Sequence, residues 1–321
     1  MKYKYLNKIL LDWNSSKEEI QDNNIIKSSD IKRQIDKCFI YRIEDEPSEI
    51  YIFNGQKTPT AQAYVWAEYE KYKDKVYING KHIELDNEGC EGWTIDTFDP
   101  GEYRVYIKDI DQVEDTEYMF YDCEQLVKAY IPRSATSIGN SMFMGCINLS
   151  SVIIPDSITK IGYRAFCNCF NLPKINIPSS VIFMGGQAFC HCHNLTDISF
   201  TNSKLDFINS DLFKNCSSLK NINLPASIKY INEWAFCGCE NLENIIIPSS
   251  VKNIHNNAFS HCSNLISITI PSSVKFIGWD AFLDSKNIEI VYVKDINKFK
   301  QIEFNNEKSN PLCYGAKLVE I

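Results

Sequence analysis

The stretch Leu242-Glu-Asn-Ile245-Ile-Ile247-Pro248-Ser-Ser-Val251-Lys-Asn-Ile254-His-Asn-Asn-Ala258-Phe259-Ser-His-Cys262-Ser-Asn-Leu265 decides the fold. Ile245 and Ile247 share one side of a two-residue period, which gives a short strand with one buried face. Pro248 cannot continue a ladder, so the strand ends there and the chain turns a corner. Val251-x-x-Ile254 supplies a second short extended side. Ala258-Phe259-x-x-Cys262 predicts a returning turn of helical character.

The same pattern recurs along the chain. Phe-x-x-Cys-x-x-Leu is found at Phe120-Cys123-Leu126, Phe143-Cys146-Leu149, Phe166-Cys169-Leu172 and Phe189-Cys192-Leu195. It continues at Phe213-Cys216-Leu219, Phe236-Cys239-Leu242 and Phe259-Cys262-Leu265, and decays to Phe282-Ser285-Ile288. Successive phenylalanines lie 23 residues apart, with a single step of 24 between Phe189 and Phe213. One such coil cannot bury its own apolar side, so the coils must stack into a solenoid. The consensus Ile-Pro-x-Ser-Val-x-x-Ile-Gly-x-x-Ala-Phe-x-x-Cys-x-x-Leu resembles the BspA-type leucine-rich repeat over residues 114–290.

The repeat accounts for much of the cysteine content. The chain has 13 cysteines. Seven of them, Cys123, Cys146, Cys169, Cys192, Cys216, Cys239 and Cys262, occupy one repeat position. They should form a buried column of reduced thiols, each a small filler and weak donor to a neighbouring carbonyl. Ser285 fits the last copy, where exposure should rise. Cys190-His-Cys-His193 has zinc-like composition, but one thiol of each Cys-x-Cys belongs to the column and the other points elsewhere, so no metal site is expected.

The remainder divides the chain further. Residues 1–38 are polar, with Ser15-x-x-Glu18 as a capping box and Ile31/Ile35 at helical spacing, and read either as an N-terminal segment suited to anchoring or as a frayed terminus. Residues 39–113 switch to period two at Phe39–Ile43, Glu49–Phe53, Ala63–Trp66, Lys75–Ile78 and Glu102–Ile107, with turn signals at Asn54-Gly55, Asn79-Gly80 and Asp99-Pro-Gly101. They read as a small all-β module capping the solenoid, with Tyr103–Ile107 as its first rung. Residues 291–321 read as the C-terminal cap. The fold class is thus mainly β with short helical turns.

Composition narrows the function. Residues 1–115 hold 16 Lys+Arg against 24 Asp+Glu, so the formal charge of −8 lies entirely there and the repeats are neutral. That excludes a basic nucleic-acid surface. No run approaches the about 20 apolar residues of a membrane span, and Ile9-Leu10-Leu11 is too short for the core of a signal peptide. The five histidines show no nucleophile–base order, and there is no Gly-x-Ser-x-Gly or phosphate-cradling loop, so neither an enzyme nor a cofactor is expected.

Binding is better supported. On the second extended side, the residue before the inward isoleucine should face solvent. That column reads Ser137, Lys160, Phe183, Phe207, Tyr230, Asn253 and Phe276, and the preceding one includes Lys229, Lys252 and Lys275. Four aromatics beside three lysines predict an interaction stripe; the alternative is that the rings lie flat as packing. A second, mostly polar candidate column on the first strand side runs Tyr130, Ile153, Asn176, Ser199, Asn223, Ile246, Thr269 and Tyr292. The resemblance implies adhesion or protein binding at a cell surface. With no export signal visible, a phage virion component is the other reading, and Glu49–Gly55 resembles phage fibre sequence. Such a fibre would sit in the virion or the cytoplasm and assemble as a homo-oligomer through its N-terminal region.

Overall fold

A computed structural model describes residues 117–131 and 133–321, together with the strand backbone of β1 (Phe39–Ile43), β2 (Ser48–Tyr51), β3 (Val76–Ile78), β4 (Lys81–Ile83), β5 (Thr94–Phe98) and β6 (Gly101–Ile107). The segment expected at 1–38 and the strand at 63–66 lie outside the described residues. β3 and β4 pair antiparallel, with Ile78 opposite Lys81; the turn expected at Asn79-Gly80 lies outside the described residues. β1 pairs with β6 and β2 with β5, both antiparallel, the second pair as a separate two-stranded sheet.

The first rung of the solenoid differs from expectation. β7 (Leu126–Tyr130) is flanked by β1, antiparallel, and by Ser151–Ile153, parallel. β6 instead lies between β1 and β3, antiparallel to both. Tyr103–Ile107 is therefore inside the N-terminal sheet, and the change from antiparallel to parallel pairing occurs across β7.

From β7 onward each coil repeats the last. Lys174–Ile177 pairs with Asp197–Phe200, and Asn244–Ile246, Ser267–Ile270, Ile290–Val293 and Lys317–Glu320 form a four-stranded parallel sheet. On the second side, two-residue strands such as Lys160–Ile161 and Phe183–Met184 pair parallel with their neighbours. Residues 291–321 continue both ladders, through Glu303–Phe304 and Lys317–Glu320.

The coil of Phe200 interrupts this regularity. The second-side ladder stops at Phe183–Met184 and resumes at Phe207–Ile208, and on the first side the next coil keeps only a bridge from Asn221 to Asn244. The cause is local. Thr201-Asn-Ser-Lys204 carries the additional residue of the 24-residue step and lacks the corner proline, and Asn202 turns with a φ of 47°.

The returning turns are not helical. Each is bracketed by two left-handed residues, for example Arg164 (φ 56°) and Asn168 (φ 62°), or Gln187 (φ 59°) and His191 (φ 60°). Their amides reach the next coil: Phe166 N–H donates to Ala188 O at 2.8 Å and Asn168 N–H to Cys190 O at 2.9 Å. Stacking captures the donors that a helix would spend on itself.

The core follows from these turns. Phe120, Phe143, Phe166, Phe189, Phe213, Phe236, Phe259 and Phe282 are fully buried. Their rings stack face to face, from 5.2 Å between Phe236 and Phe259 to 5.8 Å between Phe189 and Phe213, across the longer coil. Beside them the thiols form the expected column. Cys146 donates to Phe120 O, Cys169 to Phe143 O and Cys192 to Phe166 O, each the carbonyl of the preceding coil. Cys216, Cys239 and Cys262 repeat the bond to Phe189, Phe213 and Phe236. Ser285 makes the same contact to Phe259 O at 2.6 Å, but its exposure is 0%. The expected rise in exposure does not occur, because residues 305–314 pack over this turn, with Lys308 O accepting from Phe282 N–H.

Candidate functional site

The binding column is positioned by the inward residue that follows each member. Ile161, Met184, Ile208, Ile231 and Ile277 are buried, so Lys160, Phe183, Phe207, Tyr230 and Phe276 are turned outward. Phe183 is 43% exposed and Phe207 42%, whereas Tyr230 and Phe276 are half-buried. The pairing register runs Ser137–Lys160–Phe183 in one ladder and Phe207–Tyr230–Asn253–Phe276–Glu303 in the other. The four aromatics are therefore not one unbroken stripe.

Phe207 and Tyr230 stack at 5.4 Å and 14°. Phe183 has Lys160 Nζ 5.6 Å over its ring, and Phe276 meets His255 edge-on at 6.3 Å. The lysines are held in step by backbone bonds, Lys252 N–H to Lys229 O and Lys275 N–H to Lys252 O, both 2.8 Å. Lys229 pairs with Asp206 at 3.1 Å, while Lys252 and Lys275 are exposed. Like charges one coil apart repel by roughly 1 kcal/mol in water, a cost that an acidic partner would relieve.

Three exposed aromatics beside this column escape the sequence reading. Tyr163, Trp234 and Trp279 lie three or four residues beyond the column, past the corner that leads to the turn, and Trp279 is 53% exposed. Arg164 stacks 4.9 Å over Tyr163, whose hydroxyl donates to Gln187 Oε1 at 3.0 Å. Lys214 Nζ sits 4.8 Å over Trp234. They vary from coil to coil at two repeat positions, so periodicity alone does not single them out.

The opposite candidate column divides differently. Ile153 and Ile246 are strongly exposed in it, and the stretch between them is polar, with Ser199 donating to Asn176 at 2.7 Å. Near its C-terminal end a groove of about 810 Å³ is lined by Glu243, Ile266, Ile290, Tyr314 and Lys317.

The column thiols are committed to structure. Burial pushes the thiols of Cys146, Cys169, Cys192 and Cys239 well above their ordinary value, the opposite of what a nucleophile needs. In Cys190-His-Cys-His193, Cys192 donates into the column while the Cys190 thiol lies beside Cys167. Burial and the neighbouring His193 lower the pKa of His191, which packs against Asn215. Among the described residues no three His, Cys, Asp or Glu side chains gather as a metal site.

Comparison with known proteins adds a family. Residues 116–209 and 201–310 match the model of the BspA type leucine rich repeat region, in six copies. No curated protein matches the chain. Among solved structures, a leucine-rich repeat protein from Bacteroides ovatus is 27% identical with a TM-score of 0.47, covering 64% of this chain and 59% of that one. A leucine rich cell surface protein from Faecalibacterium prausnitzii is 26% identical with a TM-score of 0.33, covering 57% and 64%. The T. pallidum leucine rich repeat protein is 25% identical with a TM-score of 0.48, covering 60% and 85%. The chain thus spans less than two thirds of the length of the first two.

Proposed function

We propose, for a chain that belongs to the BspA-type leucine-rich repeat family, that it is a non-enzymatic recognition protein binding a protein ligand on a cell surface. A repeat scaffold of this kind is suited to protein binding, because stacked coils present a long surface on a rigid core. We place the contact on the second extended side, at Phe183, Phe207, Tyr230 and Phe276 with Lys229, Lys252 and Lys275. The observation that carries this reading is the Phe207–Tyr230 stack, with Phe207 exposed and Tyr230 half-buried, beside three lysines in step. Clustered exposed aromatic side chains are a common core of an interaction hot spot, and the lysines beside them favour an acidic partner. In this reading residues 39–113 and 291–321 cover the two ends of the array.

The test is binding of the fluorescently labelled protein to intact epithelial cells, before and after proteolytic shaving of those cells. We expect saturable binding that shaving abolishes and that Phe207→Ala with Tyr230→Ala weakens at least tenfold, with the melting transition nearly unchanged. A large loss of stability without a change in binding would place the rings in the packing instead. Binding that survives shaving would exclude a protein ligand.

A further inference from the structure

A second line of cysteines lies beside the buried thiol column, one residue after each phenylalanine. This position reads Tyr121, Met144, Cys167, Cys190, Lys214, Cys237, Ser260 and Leu283. At Cys167 and Cys190 alone do two thiols stand in consecutive coils. We propose that Cys167 and Cys190 are an oxidisable pair that closes a disulfide between the coils of Phe166 and Phe189.

Geometry carries the proposal. The preceding residues, Phe166 and Phe189, hold their rings 5.3 Å apart and nearly parallel, so equivalent positions of the two coils are in register, at the about 4.8 Å spacing of paired extended chains. Backbone bonds flank the pair on both sides, Phe166 N–H to Ala188 O and Asn168 N–H to Cys190 O. Cα atoms of disulfides are about 4.4–6.8 Å apart, and the coil spacing falls within that range. The column thiols donate to backbone carbonyls, as Cys169 and Cys192 do, whereas the Cys167 thiol donates to Asn168 Oδ1 at 3.7 Å and the Cys190 thiol lies beside Cys167. Both side chains are 5% exposed, against 0% for the column. Cys237, at the same repeat position, bonds Ser260 and has Lys214 on its other side, so it has no thiol to join.

The oxidant is a small disulfide such as glutathione disulfide. The Cys190 thiol loses its proton and attacks one glutathione sulfur; a mixed disulfide forms, and the first glutathione leaves as a thiolate that takes up a proton. Cys167, deprotonated in turn, attacks the Cys190 sulfur and displaces the second glutathione. Two protein thiols are oxidised and one glutathione disulfide is reduced to two glutathiones. The raised pKa of Cys190 makes the first step slow at neutral pH and faster as pH rises.

The full chain, incubated with glutathione disulfide, alkylated and digested with trypsin, reads the outcome. Trypsin cuts after Arg164, Lys174 and Lys204, which separates the two sites onto residues 165–174 and 175–204. We expect these peptides joined, two hydrogens lighter than their sum, with the link lost in Cys190→Ser and kept in Cys192→Ser and Cys237→Ser. The oxidised protein should melt several degrees above the reduced one, and that difference should vanish in Cys190→Ser. A link that survives Cys190→Ser, glutathione retained at Cys313 without a bridge, a bridge confined to Cys38 and Cys90, or no link at all would each overturn the proposal.

Discussion

Replacing Phe189 by alanine should cost about 4 kcal/mol of stability, read from equilibrium unfolding in urea. The ring is fully buried and stacks on Phe166 at 5.3 Å and on Phe213 at 5.8 Å. Its removal deletes apolar burial and both stacking contacts, which add about 1 kcal/mol each. The backbone bonds that fix the coil spacing keep the neighbours from collapsing into the space. Phe189 also borders the longer coil, where the strand ladder is already interrupted. Because each coil is stabilised by its neighbours alone, the variant should unfold in two steps, with separate transitions for the coils on either side. A loss below about 1 kcal/mol would mean that the ring column is not the core.

Ser285→Ala should cost about 2 kcal/mol, more than a buried hydroxyl of that size suggests. The Ser285 hydroxyl donates to Phe259 O at 2.6 Å and accepts from Cys262 N–H at 3.1 Å. Alanine leaves a buried donor and a buried acceptor unpaired together. Ser285→Cys restores the donor of the other coils and should recover part of the loss. Equal stability of the alanine and cysteine variants would show that the bond to Phe259 contributes nothing.

The period of 23 made the ring stack, the thiol column and the two strand sides legible, because each is one residue type fixed by burial at one repeat position. The turn conformation was legible in principle but misread as helical. The residue before each column cysteine, and before Ser285, is Asp122, Gly145, Asn168, His191, Asn215, Gly238, His261 or Asp284, all with positive φ. Gly, Asn and Asp tolerate that region best, so their recurrence is a turn signal. The other left-handed position, occupied by Arg164, Gln187 and Trp234 among others, gives no such sign, since stacking imposes the conformation on residues that do not favour it. The outward column was correctly oriented, but its break between Phe183 and Phe207 depends on how the additional residue at 201–204 is absorbed. That is decided by packing between coils. Likewise, β1 rather than β6 flanks the first rung because pairing between distant strands is set by tertiary contact.

The recognition surface can be tested at single positions. A photo-crosslinking phenylalanine analogue placed at Tyr230, and in a separate protein at Ile246, samples the two sides of the solenoid while it is bound to intact epithelial cells. The account predicts a covalent adduct with a cell-surface protein from position 230 and none from position 246. An adduct from position 246 with none from position 230 would contradict it.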